Sequence, residues 1–323
     1  MSTNRNKISA GLKGLYSLSP VYNNPEFMTI IKKHTVPETA GPVRFSDYAI
    51  EAFTVIPSRN GIKKAIKRGD FMIDGVKAET GTWVNAGQVI ELLNRDSAEI
   101  PVYRMKLSVV YEDNYIAVVN KPAGITVSGN RFKTVENALP FNLVKSFESD
   151  ALDRPGPVHR LDSPTSGLLL VARTVSARIN LGRQFETRNI RKRYMAVVRG
   201  KIENGGRIVS DIDGRSSETE YIPVKSVRSI KNEWVTLADL FPGTGRTHQL
   251  RRHMAESGHP VIGDKLYSNA GDLFRGKGLF LAAVELSFTH PVTGIAVNIK
   301  IDEPDKFRTF MEREERRWQR LFI

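Results

Sequence analysis

His159-Arg160-Leu161-Asp162-Ser163-Pro164-Thr165-Ser166-Gly167 runs directly into Leu168-Leu169-Leu170-Val171-Ala172. The apolar run is short, uncharged and begins at a glycine, so it predicts a buried strand. Pro155, Gly156, Pro157 and Pro164 do not suit a helix interior and are expected to hold the chain in turns. Asp162 is then a carboxylate on a stiff loop beside a core strand, an arrangement that keeps a reactive group still. The competing reading makes Asp162 a turn cap with Arg160 as its ion partner. Most isolated Arg-x-Asp matches are of that kind.

The 323 residues suffice for a sizeable core and suggest two domains. With 40% hydrophobic and 26% charged residues, the composition is that of a globular protein. The net charge of +13 stands out. Such a surface attracts polyanions, and nucleic acid is the commonest large partner. No amphipathic anchor or lipidation signal points to a membrane, and no apolar run approaches the roughly 20 residues of a span. The absence of cysteine excludes disulfides, a thiolate nucleophile and Cys-based zinc sites. A polar N-terminus without a signal sequence leads to the expectation of a cytoplasmic protein.

Outward from the Asp162 loop, residues 1–43 lack periodicity and read as an arm. Residues 44–95 form a small unit. Within it Arg59, Lys63, Lys64, Lys67 and Arg68 share half of a predicted helix, with Ile62, Ala65 and Ile66 on the other half. Gly69 ends that helix, and Asp74-Gly75 signals a hairpin turn. Basic side chains along one helix face suit RNA phosphates; the alternative is a merely solvated charged face. Residues 96–105 read as a linker, and 106–323 as the second domain. Thr134 is a plausible N-cap. Tyr194 begins a strand after Arg191-Lys192-Arg193; an isolated tyrosine there is commonly a core residue with a bonded hydroxyl. Pro242-Gly243-Thr244-Gly245 is a tight turn, and Thr247 is expected to cap the next helix, with Leu250 and Met254 facing the core. The Gly243-Thr244-Gly245 turn lacks the lysine-serine pair of a phosphate-binding loop. His248 and His253 are five residues apart, with no third zinc ligand evident. Residues 305–322 predict a last helix whose stripe of Phe307, Phe310, Met311, Trp318, Leu321 and Phe322 is expected to dock on the core.

Six segments together carry a family resemblance: Asn120 to Gly124, His159 to Leu170, Lys192 to Gly200, Gly245 to His253, His259 to Tyr267, and Leu281 to Pro291. The chain resembles the RluA-type pseudouridine synthases over residues 44 to 300. Two departures are Ser128, near a histidine of the family, and Ala282, where the family often has histidine. Residues 58–75 resemble an S4-like RNA-binding domain, which lays a basic helix along structured RNA.

The resemblance implies an isomerase that converts uridine in RNA to pseudouridine. It implies an α+β catalytic domain on a mixed, largely antiparallel sheet. Asp162 is the implied catalytic residue, Arg246 its cationic partner and Tyr194 an active-site tyrosine. A carboxylate in a dry pocket needs such a cation to stay ionised. Arg59, Lys63, Lys64, Lys67, Arg68 and Arg160 are the expected RNA contacts. The reaction transfers no electrons, so no cofactor and no metal are expected. Large-subunit ribosomal RNA is the expected partner and transfer RNA the second choice, with the protein acting as a monomer. A silent RNA-binding assembly factor is the alternative from another class.

Overall fold

The structure, a computed structural model, describes residues 28–38, 41–56, 58–95, 102–268 and 276–322. Most of the expected N-terminal arm lies outside these residues. The chain divides into two compact units that part between Ile100 and Pro101.

The smaller unit contains β1 (Met28–Thr35), β2 (Val43–Arg44), α1 (Phe45–Ala52), α2 (Arg59–Arg68), β3 (Phe71–Ile73), β4 (Val76–Lys77), β5 (Trp83–Val84) and β6 (Val89–Arg95). Its sheet has the order β1-β6-β3-β4. One expectation is corrected here. Residues 28–35 were read as arm, but β1 pairs antiparallel with β6 along its length. The alternation of Ile30, Lys32 and His34 is too weak to mark a strand without its partner.

Helix α2 begins where the Ser58 hydroxyl accepts the Gly61 N–H and ends at Gly69, whose φ of 82° is left-handed. Its apolar face, Ile62, Ala65 and Ile66, is buried with Phe45, Phe53 and Phe71. Asp74 and Gly75 both have positive φ, as a two-residue hairpin turn between β3 and β4 requires.

The larger unit contains β7 (Ser108–Glu112), β8 (Ile116–Lys121), α3 (Val135–Asn142), β9 (Ala151–Pro157), β10 (Ser166–Thr174), α4 (Val175–Glu186), β11 (Arg191–Arg199), β12 (Gly206–Ile212), β13 (Arg215–Ser229), β14 (Glu233–Pro242), α5 (Gln249–Glu256), β15 (Leu281–Thr289), β16 (Ala296–Lys300) and α6 (Asp305–Phe322). Its sheet runs β12-β13-β14-β11-β15-β10-β8-β7, with β9 on β10 and β16 on β15. The paired strands are antiparallel except β10 with β15. This is the expected α+β fold.

Strand β10 lies inside that sheet, between β15 and β8. Leu168, Leu170 and Ala172 pack with Ala177 and Leu181 of α4; Leu169 and Val171 pack on the opposite face with Val135, Ala138 and Leu139 of α3. A strand covered on both faces must be apolar at every position, which explains the unbroken run. Each large aliphatic side chain buried there contributes roughly 1.5–3 kcal/mol. Gly167 opens the strand because β15 passes too close for a side chain. Its φ is 111°, and a Cβ would lie 2.1 Å from the Ala283 carbonyl oxygen.

Three further expectations are corrected. Pro155-Gly156-Pro157 is part of strand β9 rather than a turn, with Gly156 opposite Ala172 and Pro157 opposite Val171. Prolines are tolerated because, among the described residues, β9 has no second neighbour to receive their missing N–H groups. Tyr103 and Met105, read as linker, pack on the α3 core, and the Asn142 side-chain amide donates to the Met105 carbonyl. In α6, Phe307, Phe310 and Met311 are buried, but Leu321 and Phe322 are 64% and 60% exposed. Contacts between α6 and β13 run as far as Trp318, which lies beneath Arg228, and the last turn extends beyond them. No helix among the described residues is long and apolar enough to cross a membrane.

Candidate active site

The loop 159–165 leaves β9 and enters β10, and three anchors fix it. The Thr165 N–H donates to the Asp162 carbonyl at 3.0 Å, closing a turn. The Ser163 carbonyl accepts from the Gly124 N–H at 2.7 Å and from Lys121 Nζ at 3.1 Å. His159 Nε2 accepts the Leu170 N–H at 2.9 Å, and its ring stacks on Phe185. Here the edge of β10 passes from β15 to β9, so the imidazole supplies an acceptor that no strand provides. Burial holds His159 near a pKa of about 3, with the Lys192 charge acting the same way. The ring is therefore neutral and can accept.

Lys121 is fully buried at the end of β8, where Nζ also donates to the carbonyls of Pro122 and Ile125. Burial draws its pKa down to about 8, while the Asp162 charge opposes that shift. It remains a cation at neutral pH, held by three carbonyls beneath the loop.

Asp162 opens onto a pocket of about 280 Å³, lined also by His159, Lys192, Tyr194, Arg246, His248 and Arg251. Its side chain is 19% exposed. Arg251 Nη1 lies 3.6 Å from one carboxylate oxygen and His248 Nε2 lies 3.8 Å from the other. Arg251 is itself clamped: Nε and Nη2 donate to the two oxygens of buried Asp264 at 2.7 and 2.8 Å. Burial would weaken its charge, but the bonds and charge of Asp264, with Asp162 added, raise its pKa. Its guanidinium lies over the Tyr267 ring, and the Tyr267 hydroxyl lies 2.9 Å from His248 Nδ1.

The Asp162–Arg246 ion pair implied by resemblance is not formed. Among the described residues the guanidinium within ion-pair distance of Asp162 is that of Arg251. The cause is local. His248 has a φ of 56° and reverses the chain just before α5. The Gln249 side-chain oxygen accepts both the Arg246 N–H and the Thr244 hydroxyl. Arg246 consequently turns toward the Ser216 carbonyl, 3.4 Å from Nε, and lines the pocket without pairing to Asp162. The same geometry overturns Thr247 as the helix cap: α5 begins after His248 with no side-chain cap. Leu250 and Met254 do face the core.

Tyr194 lies within β11, beside a bulge at Arg193 that aims successive side chains anew. Its pKa is raised, first by burial and then by the Asp162 charge, so the phenol is neutral. Arg160 is exposed at the pocket wall, and among the described residues no ion pair joins it to Asp162. His253 is buried and bonded to Ser217 and Thr219, which accounts for it without a metal. Lys121, Arg251, Asp264 and Tyr267 lay in segments that resembled the family, but nothing in the sequence pairs Arg251 with both carboxylates.

In the smaller unit all five expected RNA contacts on α2 are exposed. Two are engaged: Arg59 with Asp47 of α1, and Arg68 with Asp70 just after the helix, both at 2.6 Å. Lys63, Lys64 and Lys67 form no ion pair among the described residues.

Comparison with known proteins agrees with this fold. A sequence model of the family described as RNA pseudouridylate synthase matches residues 115–256. A ribosomal large subunit pseudouridine synthase D of Xanthomonas campestris pv. campestris is 32% identical over 313 residues, 87% of this chain and 92% of the relative. One from Vibrio cholerae is 32% identical over 298 residues, 84% and 91% respectively. The solved human RNA pseudouridylate synthase domain containing 1 superposes with a TM-score of 0.52 at 28% identity, over 63% of this chain and 86% of that one. The chain belongs to the RNA pseudouridine synthase family, isomerases that convert uridine in RNA to pseudouridine.

Proposed function

We propose that this chain isomerises uridine in large-subunit ribosomal RNA, with Asp162 as the catalytic carboxylate. The observation that carries the reading is Asp162 itself: a carboxylate on an anchored loop, facing a pocket, with a fixed guanidinium 3.6 Å away. The names of the relatives from Xanthomonas and Vibrio support the substrate class.

The reaction breaks the bond between C1′ and N1 of uracil and makes one between C1′ and C5. N1 gains a proton and C5 loses one. Asp162 acts at C1′, where positive charge develops as the bond to N1 breaks. Arg251 keeps the carboxylate ionised and oriented, and Asp264 keeps Arg251 in place. The neutral Tyr194 ring packs against the uracil, and its hydroxyl serves the proton transfer at C5. The uridine must leave its stack to enter the pocket, at a cost of a few kcal/mol. Binding to RNA elsewhere offsets that cost. The smaller unit, read as S4-like, supplies part of it through Lys63, Lys64 and Lys67, with Arg59 and Arg68 joining if RNA displaces their aspartates.

The test is pseudouridine mapping on unmodified ribosomal and transfer RNA after incubation with the purified protein. A site in large-subunit ribosomal RNA is expected. A site in transfer RNA alone would overturn the substrate class. No site in any RNA or in assembled subunits would overturn the activity.

A further inference from the structure

The end of α6 and the far end of β14 together form a ladder of cations and rings. Lys201 Nζ lies 5.0 Å from the Trp234 ring centroid. The Arg228 guanidinium lies over Trp234 at 4.1 Å and over Trp318 at 5.1 Å. Trp318 in turn stacks on Phe322, with centroids 4.0 Å apart and planes at 24°. The ladder ends on a ring that is 60% exposed, beside an exposed Leu321.

Its charge is one-sided. The last seven residues of α6, Arg316 to Phe322, contain three arginines and no acid. Of the acids of the preceding turn, Glu314 is buried and accepts from the Ser229 hydroxyl at 2.8 Å, with Arg317 3.8 Å away, Glu315 pairs with Lys225 at 3.1 Å, and Glu312 is exposed. The Ser229 and Lys225 contacts hold α6 on β13, and Arg316, Arg317 and Arg320 are exposed, Arg317 paired with Glu314 and Arg316 donating from Nε to the Glu312 carbonyl. Simple anchoring of the helix would not require an exposed ring with a rim of three arginines. Trp234 and Pro242 stand at opposite ends of β14, and Pro242 lines the catalytic pocket. At about 3.3 Å per residue they are roughly 25 Å apart.

We propose that this ladder is a second RNA-docking surface, where an unpaired base of the substrate stacks on Phe322 while Arg316 and Arg320 hold the flanking phosphates. Aromatic platforms with basic rims bind single-stranded RNA in this way, with little demand on sequence. The inference rests on the reading of this chain as an RNA-modifying enzyme. It adds where, besides the pocket, the substrate is gripped.

The test compares Phe322→Ala and Arg316→Gln/Arg320→Gln with wild type in the full chain. Fluorescence anisotropy gives Kd for a labelled ribosomal RNA fragment at several salt concentrations, and kinetics on the mapped substrate give kcat and KM. Phe322→Ala is expected to weaken binding about five- to tenfold. The double variant is expected to lower the salt slope by about 1.5. In both, KM should rise with kcat unchanged, and a short stem-loop holding only the modified uridine should bind as before. An unchanged Kd and slope would overturn the proposal. So would an equal loss on the short stem-loop, or a fall in kcat, since either assigns the ladder to structure alone. Capture of phosphatidylserine vesicles by wild type alone, with RNA binding intact in both variants, would assign the patch to a membrane surface and overturn it as well. Failure of the RNA-modifying reading shows separately, as absence of pseudouridine with wild type.

Discussion

The pocket around Asp162 and the basic face of α2 both collect cations, yet they are built in opposite ways. In the pocket, Arg251 is 4% exposed and bonded twice to Asp264, while Lys121 is buried and held by three carbonyls. On α2, Lys63, Lys64 and Lys67 are exposed and, among the described residues, form no ion pair. Chemistry at a single carbon needs charges that cannot move, so each is over-determined by its neighbours. Grip on a long polyanion needs charges that are hydrated, mobile and replaceable. On the proposed function the same residue types serve two purposes, and their surroundings distinguish them.

The comparison is sharpened first by the two arginines of α5 and its preceding loop. Arg251→Gln leaves Asp264 buried without its partner, so stability should fall by about 3–5 kcal/mol and turnover by about 100-fold or more. Arg246→Gln should stay within about 0.5 kcal/mol of wild type in stability. Denaturant melts of the two variants decide between them; equal stabilities would show that the Asp264 clamp does not matter.

On the exposed side, changing Lys63, Lys64 and Lys67 together to Gln should raise KM for RNA and reduce the salt slope of binding by about 2–3, with kcat retained. A kcat loss of tenfold with an unaltered slope would place α2 among the structural parts and break the comparison.

The smallest effect concerns His159. Burial depresses its folded-state pKa to about 3, whereas the unfolded chain titrates near the ordinary value of 6.5. Below that value the unfolded chain binds a proton that the folded chain refuses. Stability present above pH 6.5 is therefore lost as pH falls toward 3, by up to about 1.4 kcal/mol per pH unit. His159→Gln keeps an acceptor for the Leu170 N–H but cannot titrate. Between pH 6.5 and 5, the wild-type Tm should fall more steeply than that of the variant; parallel profiles would show that the ring is not buried in neutral form.

Much of this was legible in the sequence for stated reasons. The run Leu168 to Ala172 announced a buried strand, and Gly69 and Thr134 marked helix ends that the structure reproduces. Signals of this kind are local. The strand 28–35 was missed because it exists through pairing with β6, a partner about sixty residues away. Arg251 was missed for a related reason. It and Arg246 lie in the same short segment, and only the reversal at His248 decides which guanidinium reaches Asp162. Exposed Phe322 was misread because a stripe shows which residues share a helix face, not how far the sheet beneath extends.

The most direct test of the account is release of tritium from RNA carrying uridine labelled at C5, followed in a single turnover with wild type and Asp162→Asn. Formation of the C1′–C5 bond displaces that hydrogen, so the rate reports the isomerisation itself. The account expects Asp162→Asn to be slower by about 10³-fold or more while binding RNA as wild type does. A variant rate within tenfold of wild type would contradict the assignment of Asp162 as the catalytic carboxylate.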